Sequence, residues 1–422
     1  MVDDPEILLA RFGRLPAARR LLEGLRGVTV AVYLVGGAVR DLMLEVEPRE
    51  LDVVIETDLD SLIERLGADA RIHDRFGTAS IEVDGHAYDV ARARSETYAR
   101  PGALPTVAAA GLDEDLGRRD FTVNAIALGV AGPPRGELIA LYPALDDLRD
   151  GTLRILHDRS FIDDPTRLLR LALYASRLGF TVEPRTRELA LAAIGGGALE
   201  TVSGPRIGAD LRRLASEAEP VSAFETLHEL GIDSALAPGF GLTDPALARR
   251  ALALLASDGD RPTVVVAAAA LDLDAARLAQ LLDHWAFERP RRDAIVAAAR
   301  GARPLAKALQ RARKPSEIAA AVGGAGIETV ALAGALGAQE GARRWLSELR
   351  HVELEIDGRD LLAAGVPSGP GIGIGLRAAL AAKLDGETDG AEAELRRALA
   401  AAAPRPTTLH ADGSDDGPDH GP

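Results

Sequence analysis

The chain has no cysteine among its 422 residues, and aromatic residues make up only 4% of it. The absence of cysteine excludes disulfides, zinc–thiolate sites, iron–sulfur clusters and cysteine nucleophiles, and it removes any argument for an oxidising compartment. No uncharged apolar run is long enough to cross a bilayer, and the N-terminus lacks the basic and then apolar order of a signal peptide. We therefore expect a cytoplasmic protein that does not contact membranes.

Lysine is also scarce, and the overall charge is negative. Arginine supplies all but three of the 49 basic residues, which face 64 acidic residues and leave a net charge of −15. Such a total argues against general electrostatic capture of nucleic acid, although it does not exclude a local basic site. Arginine suits phosphate recognition, but a biased base composition of the genome explains most of its use here.

The residue types change at about residue 150. Before it, β-branched runs and turn residues predict a mixed α/β region, and beyond it Ala, Leu, Arg and Glu predict helices. The predicted strands are 28–35, 51–56, 78–83 and 86–91, with a hairpin turn at Asp84-Gly85. The predicted helices include 38–44, 61–66, 164–178, 185–193 and 208–216. With 47% hydrophobic residues, a chain of this length can bury the cores of two to four domains.

Two glycines stand between the first predicted strand and the helix that follows it. Gly36 and Gly37 have no Cβ, so backbone N–H groups can approach an anion closely, and the helix N-terminus adds positive potential. Arg40 lies one turn into that helix, where its guanidinium can reach the same phosphates. The alternative is an ordinary strand–helix turn with a solvated arginine, and a Gly-Gly pair alone does not decide between them.

Two carboxylates stand at the start of the next predicted strand. Glu50 and Asp52 are two residues apart, so the period of a strand places both side chains on one face. Two carboxylates on one face can hold a pair of Mg²⁺ ions. By themselves they are more readily explained as an acidic strand edge in an acidic protein, but a Gly-Gly turn followed by a carboxylate pair is a nucleotide–metal arrangement.

Five blocks of sequence resemble, in order, the class II tRNA nucleotidyltransferases, the family of CCA-adding enzymes and poly(A) polymerase head domains. The first is Tyr33-Leu-Val-Gly-Gly-Ala-Val-Arg-Asp41, and the most specific is Arg118-Arg-Asp-Phe-Thr-Val-Asn-Ala-Ile-Ala127. The others are residues 88–96 with 101–105, 164–170 continuing to 180, and 356–362 with Gly365. The resemblance covers nearly the whole chain.

The resemblance implies an α/β nucleotidyltransferase head, with a mixed sheet and helices, followed by an all-α neck, body and tail. We expect a helical lead-in over 1–24 and the head over 25–150. A neck over 151–216 would bind the nucleotide base and RNA, and a body and tail over 217–402 would bind RNA. The last residues, 403–422, are rich in Pro, Gly and Asp, which predicts disorder.

The implied activity is Mg²⁺-dependent transfer of CMP and/or AMP from CTP or ATP to an RNA 3′ end, above all CCA addition to tRNA. Glu50 and Asp52 would be the catalytic metal ligands. The nucleotide would contact Gly36, Gly37, Arg40, Arg119, Asp164, Arg167 and Arg170. Asp164 and Arg167 would read the base, because side chains three apart on a helix are neighbours and a carboxylate accepts from the exocyclic amine that C and A share. No protein partner follows from the sequence.

The sequence departs from the family pattern at Glu50, at Leu173 and at Ala140-Leu141, where the family has Asp-Pro. Glu50 stands where an aspartate is usual. Glutamate is one methylene longer, which matters because Mg²⁺ demands tight octahedral geometry. Leu173 stands where a third arginine usually follows Arg170, and Asp89 could be a third carboxylate from an adjacent strand. Two alternatives therefore stay open: an A-only or poly(A)-adding polymerase with the same motifs, and a catalytically degenerate paralogue that binds RNA.

Overall fold

The computed structural model describes residues 1–56, 69–73, 78–83 and 86–402. The chain forms two compact units, one of residues 1–249 with 260–300 and one of residues 250–259 with the chain from 301 onward. The predicted helix over 61–66, the turn at Asp84-Gly85 and the predicted disordered tail lie outside the described residues.

A mixed sheet of seven strands occupies the first unit. The strands of the described residues are β1 (Val32–Val35), β2 (Leu51–Ile55), β3 (Asp69–His73), β4 (Thr78–Val83), β5 (His86–Arg92), β6 (Arg94–Thr97), β7 (Thr106–Ala109), β8 (Ile126–Ala131), β9 (Leu138–Ala140), β10 (Thr152–Leu153) and β11 (Thr181–Val182). The sheet order is β3-β4-β5-β2-β1-β8-β9, and β2 and β5 form its parallel pair. This sheet confirms the predicted α/β head.

Helices make up most of the remainder, as predicted. In chain order, the α-helices of the described residues are Pro5–Phe12, Pro16–Gly24, Gly37–Met43, Leu112–Gly117, Ala144–Asp150, Ser160–Asp163, Thr166–Leu178, Pro184–Gly195, Gly204–Ala215, Pro220–Glu229, Ile232–Leu236, Pro245–Leu254, Arg261–Ala269, Ala275–His284, Arg289–Arg311, Pro315–Val322, Ile327–Ala333, Gln339–Ser347, Gly358–Ala363, Pro370–Leu384 and Ala391–Ala402. Among them no single helix is both long and apolar enough to cross a membrane; one pair, Pro315–Val322 with Ile327–His351, is apolar enough together but bends by 116°.

The first strand is shorter than the β-branched run predicts. Val32 pairs with Ile55 and with Ala131, which are the last residues of β2 and β8. The run from 28 to 31 therefore extends beyond both neighbours and has no strand to pair with. The strands over 78–83 and 86–92 agree with the prediction.

The predicted helix over 164–178 begins two residues later than expected, at Thr166. Asp164 instead ends the short helix Ser160–Asp163, and Pro165 is the N-cap of the longer one. Gly179 ends that helix in the left-handed conformation, with φ of +67°, as its sequence predicts.

The core of the first unit lies against both faces of the sheet. Every residue of β1 and β8 is buried, which explains their continuous apolar sequence. Leu112 and Leu116 of helix Leu112–Gly117 pack against Tyr33 of β1, and each such leucine contributes about 1.5–3 kcal/mol when fully buried. The second unit has its own cores, one of which surrounds Val330, Ala331 and Leu346.

Candidate active site

A cavity of about 590 Å³ in the first unit collects the predicted site residues. It is lined by Gly37, Arg40, Glu50, Asp52, Arg119, Asp164, Arg167 and Arg170, together with other residues. Nine arginines and seven carboxylates line it in all, so the cavity is locally basic in a protein of net charge −15. Such a lining suits an anionic ligand.

The turn after β1 requires its first glycine. Gly36 has φ of +67°, and a Cβ at this position would lie 2.5 Å from Nη1 of Arg119. At Gly37 the nearest atom to an added Cβ is Nη2 of Arg40, at 3.4 Å. Gly36 is therefore needed both for the backbone and for the close approach of Arg119, whereas Gly37 has room for a methyl group.

Arg40 is buried and donates hydrogen bonds to two neighbouring side chains. Its Nε and Nη2 donate to Oδ1 of Asp41 at 2.9 and 2.6 Å, and its Nη1 donates to Oδ1 of Asn124 at 2.6 Å. The guanidinium also lies 5.2 Å from the ring centroid of Tyr174. Arg40 thus braces the turn against Asn124.

Asp115 holds the two consecutive arginines that sequence reasoning singles out. It is fully buried and accepts from Nη2 of Arg118 at 2.6 Å and from Nη2 of Arg119 at 3.0 Å. Nη1 of Arg118 donates to Oε1 of Glu96 at 2.9 Å. Nε of Arg119 is buried and has no hydrogen-bond partner within the described ranges, while the residue itself lines the cavity.

The carboxylates near the turn form a group around Asp52. Asp52 on β2 lies opposite Asp89 on β5, and Asp89 accepts from Oγ of Ser80 at 2.7 Å. Glu50 precedes β2, and its side chain is 66% exposed. Burial, together with the negative charges of Asp89 and Glu50, raises the pKa of Asp52 to about 6, against the lowering effect of Arg119 and Arg213.

These carboxylates fit a divalent metal. Carboxylate oxygens are preferred ligands of hard divalent cations, and a cation at Asp52 would relieve the mutual repulsion of the three acidic groups. In the part of the chain that the structure describes, no three His, Asp or Glu side chains converge to form a complete metal site. The donor set therefore resembles a site in which one or two carboxylates act with substrate phosphates.

Asp164 is the centre of a second polar group on the neck. It accepts from Nη2 of Arg170 at 2.7 Å, from Nη2 of Arg206 at 2.8 Å and from Oγ1 of Thr166 at 2.6 Å. Burial opposes ionisation of Asp164, but the neighbouring arginines and Thr166 hold its pKa below the usual value. Arg206 also donates to the carbonyl of Gly102 at 3.0 Å. Sequence reasoning missed Arg206, which lies outside every block quoted above.

Arg167 is buried beside Asp164. Its Nη1 donates to Oγ of Ser160 at 2.5 Å and its Nη2 to the carbonyl of Arg118 at 2.6 Å. Its Nε lies 3.9 Å from Oδ2 of Asp164 and has no hydrogen-bond partner among the residues described. The i,i+3 proximity is as expected, although Asp164 precedes the helix rather than beginning it.

The departure at Leu173 has a structural explanation. Leu173 is 1% exposed and belongs to the core face of helix Thr166–Leu178. Arg170, Tyr174 and Arg177 line the cavity at spacings of four and three residues, so they share the other face. An arginine at 177 thus supplies a basic group on the cavity side of the helix.

Known proteins share this fold and these motifs. Residues 32–154 match the Poly A polymerase head domain, which defines the class as a nucleotidyltransferase. The CC-adding tRNA nucleotidyltransferase of Deinococcus radiodurans is 32% identical over 82% of this chain and 83% of its own length. The chain belongs to the class II tRNA nucleotidyltransferase family, whose members generally use a divalent metal.

Other relatives match part of their length or the three-dimensional structure. The A-adding tRNA nucleotidyltransferase of Halalkalibacterium halodurans is 38% identical over 58% of this chain, which spans 56% of the length of that enzyme. The chain spans about a quarter of two further A-adding relatives. A Thermotoga maritima CCA-adding enzyme complexed with tRNA has a TM-score of 0.78 and 28% identity over 94% of this chain and 98% of its own. A CCA-adding enzyme in complex with CTP has a TM-score of 0.78 and 26% identity, over 94% of this chain and 98% of its own. A CCA-adding enzyme in complex with ATP has a TM-score of 0.76 and 28% identity, over 94% of this chain and 96% of its own.

Proposed function

We propose that this protein transfers CMP and AMP from CTP and ATP to the 3′ end of tRNA in the cytoplasm, with Mg²⁺ as its metal. The observation that carries the proposal is the single cavity in which Asp52, the Gly36-Gly37 turn with Arg119, and the Asp164–Arg167 pair meet. Relatives that match this chain over most of its length act on tRNA, and similar structures hold tRNA, CTP or ATP.

The acidic group would hold the metal, with Asp52 as the central ligand and Glu50 or Asp89 as its neighbour. When bound, Mg²⁺ would lower the pKa of the attacking 3′-hydroxyl and neutralise charge on the triphosphate. The Gly36-Gly37 turn and the guanidinium of Arg119 would hold the phosphates in line with that hydroxyl. Pyrophosphate leaves as the new phosphodiester forms, so no covalent protein intermediate is required.

Asp164 and Arg167 would choose the base. A carboxylate accepts from the exocyclic amines of C and A, and an arginine donates to their ring acceptors. U carries a carbonyl at the position where C carries its exocyclic amine. The Asp164 carboxylate would therefore repel the oxygen of U instead of accepting a hydrogen bond. Arg170 and Arg206 hold Asp164 ionised and in one orientation, which keeps the acceptor available at neutral pH.

A second candidate is an enzyme that adds only the terminal A. It is favoured by the 38% identity to an A-adding enzyme over 58% of the chain, which exceeds the 32% identity to the CC-adding enzyme over 82% of it. The test is to incubate the protein with Mg²⁺, each labelled NTP, and tRNA that ends before CCA, after the first C, or after CC. Complete CCA addition extends all three, and an A-adding enzyme extends only the last with ATP.

The same experiment tests for a degenerate paralogue. If no labelled nucleotide enters any of the three tRNAs while the protein still binds them, the proposed transfer is wrong. If poly(A) tails grow on RNA without a tRNA fold, the substrate class is wrong and the chemistry is right.

A further inference from the structure

Two ion pairs join the start of β2 to helix Gly204–Ala215 and the residues that directly follow it. Nη1 of Arg49 lies 3.3 Å from both carboxylate oxygens of Glu217, and Oε2 of Glu50 lies 3.6 Å from Nη2 of Arg213. The neighbours Arg49 and Glu50 thus each face a residue of opposite charge, and these two partners lie four positions apart in the sequence. The segment before β2 is otherwise open to solvent, as shown by Val46, which is 58% exposed.

The two pairs differ in strength. Glu217 is buried, and Arg177 donates to both of its oxygens, so this carboxylate is fixed whether or not Arg49 is present. In contrast, the side chains of Arg213 and Glu50 are 45% and 66% exposed. Exposed pairs contribute little to stability, and this contact is longer than a direct hydrogen bond. The pair of Glu50 with Arg213 can therefore be exchanged at small cost.

We propose that Arg213 is a positioning residue that holds Glu50 away from Asp52, and that a divalent metal and Arg213 compete for the Glu50 carboxylate. This rests on the proposed function, in which Glu50 is one of the carboxylates next to the metal. Two cations that share one carboxylate weaken each other's binding, because each lowers the negative potential that the other meets. Once Glu50 turns to the metal, the guanidinium of Arg213 at the edge of the cavity is available to a phosphate.

The departure at residue 50 agrees with this arrangement. Glutamate is one methylene longer than the usual aspartate, and Glu50 uses its length to reach the neck. A longer side chain also has more rotamers, so it can alternate between the neck and Asp52.

The test is Mn²⁺ binding to the full-length protein, measured by electron paramagnetic resonance without nucleotide or RNA. Arg213→Gln is expected to lower the Kd for Mn²⁺ about two- to fivefold, the range that exposed ion pairs support. Arg49→Gln is the matched control, since it removes the same charge one residue from Glu50 but breaks only the contact with Glu217. In a Glu50→Gln background, Arg213→Gln should lower the Kd by less than it does with Glu50 present, because Arg213 then acts only through its weaker charge interaction with Asp52. Melting temperatures show that each variant is folded.

The outcomes separate the inference from the proposed function. If the wild type binds Mn²⁺ and Arg213→Gln leaves the Kd unchanged or raises it, competition is wrong and the metal site stands. Competition is also wrong if Arg49→Gln lowers the Kd as much as Arg213→Gln. If the wild type binds no Mn²⁺, the proposed metal site fails, and the inference fails with it.

Discussion

Asp52 and Asp89 lie directly opposite each other on the parallel pair of strands β2 and β5. Paired residues on neighbouring strands point to the same face, so the two carboxylates are neighbours although 36 residues separate them in the numbering. Like charges so placed are destabilising unless a cation or an arginine compensates them. Arg119 compensates Asp52 in part, which leaves the pair suited to bind a divalent cation.

The first prediction concerns this pair. Asp52→Asn keeps the shape of the side chain but removes the charge, so it should lower kcat for nucleotide addition by about a thousandfold or more, several kcal/mol of barrier. Asp89→Asn should cost less, about tenfold to a hundredfold, if Asp89 contacts the metal through only one oxygen. Ser80→Ala removes only the hydrogen bond to Asp89 and is the control. Turnover by Asp52→Asn near that of the wild type would rule out the metal assignment.

The second prediction compares the two glycines of the turn. Gly36→Ala places a methyl group 2.5 Å from Arg119 in a left-handed backbone, so it should cost about 1–2 kcal/mol of stability and raise KM for the nucleotide. Gly37→Ala has room and lies in a helix, so its melting temperature should stay close to that of the wild type. Equal effects of the two substitutions would contradict the role of Arg119 at this turn.

The third prediction concerns nucleotide choice. Asp164→Asn replaces an acceptor by an amide that can also donate, so discrimination of C and A from U should fall by about 1–3 kcal/mol. The measurement is kcat/KM for all four NTPs, and their ratios do not depend on the folded fraction. Thr166→Val is the control, because it removes a hydroxyl that donates to Asp164 but leaves the carboxylate and its charge. Unaltered ratios in Asp164→Asn would mean that this carboxylate serves only to bind Arg170 and Arg206.

The fourth prediction concerns pH and Asp210 of helix Gly204–Ala215. Burial, together with the charge of Asp164, raises its pKa to about 6, against the lowering effect of Arg170, Arg213 and Arg206. A carboxyl that holds its proton more tightly in the folded protein stabilises the fold at low pH, and this contribution is lost as pH rises from about 4 to 6. The difference in free energy of unfolding between Asp210→Asn and the wild type should therefore shift in favour of the variant by about 1–2 kcal/mol between pH 4 and pH 7.5.

Thermal unfolding of both proteins from pH 4 to 8 measures this difference. Glu229→Gln, at an exposed carboxylate, is the control and should differ from the wild type by less than about 0.5 kcal/mol at every pH. A constant difference between Asp210→Asn and the wild type across pH 4 to 8 would show that Asp210 titrates as an ordinary surface carboxylate.

Local sequence was sufficient for the features that depend on near neighbours. The Gly36-Gly37 turn follows from the missing Cβ, the end of helix Thr166–Leu178 follows from Gly179, and β4 follows from the β-branched residues of its sequence. The order of the blocks was enough to indicate the family and thereby the α/β head with helical domains after it. Each of these depends on residues within a few positions or on motifs read along the chain.

Only the tertiary structure decided which of these residues meet. The pairing of Asp52 with Asp89 depends on the register of two strands, and a shift by one residue would put them on opposite faces. Arg206 contacts Asp164 from 42 positions away, and Arg213 contacts Glu50 from 163 positions away. The burial of Leu173 in the core likewise depends on the tertiary structure. Such contacts follow from how helices and the sheet pack, because side-chain chemistry sets which charges attract but packing sets which ones come within reach.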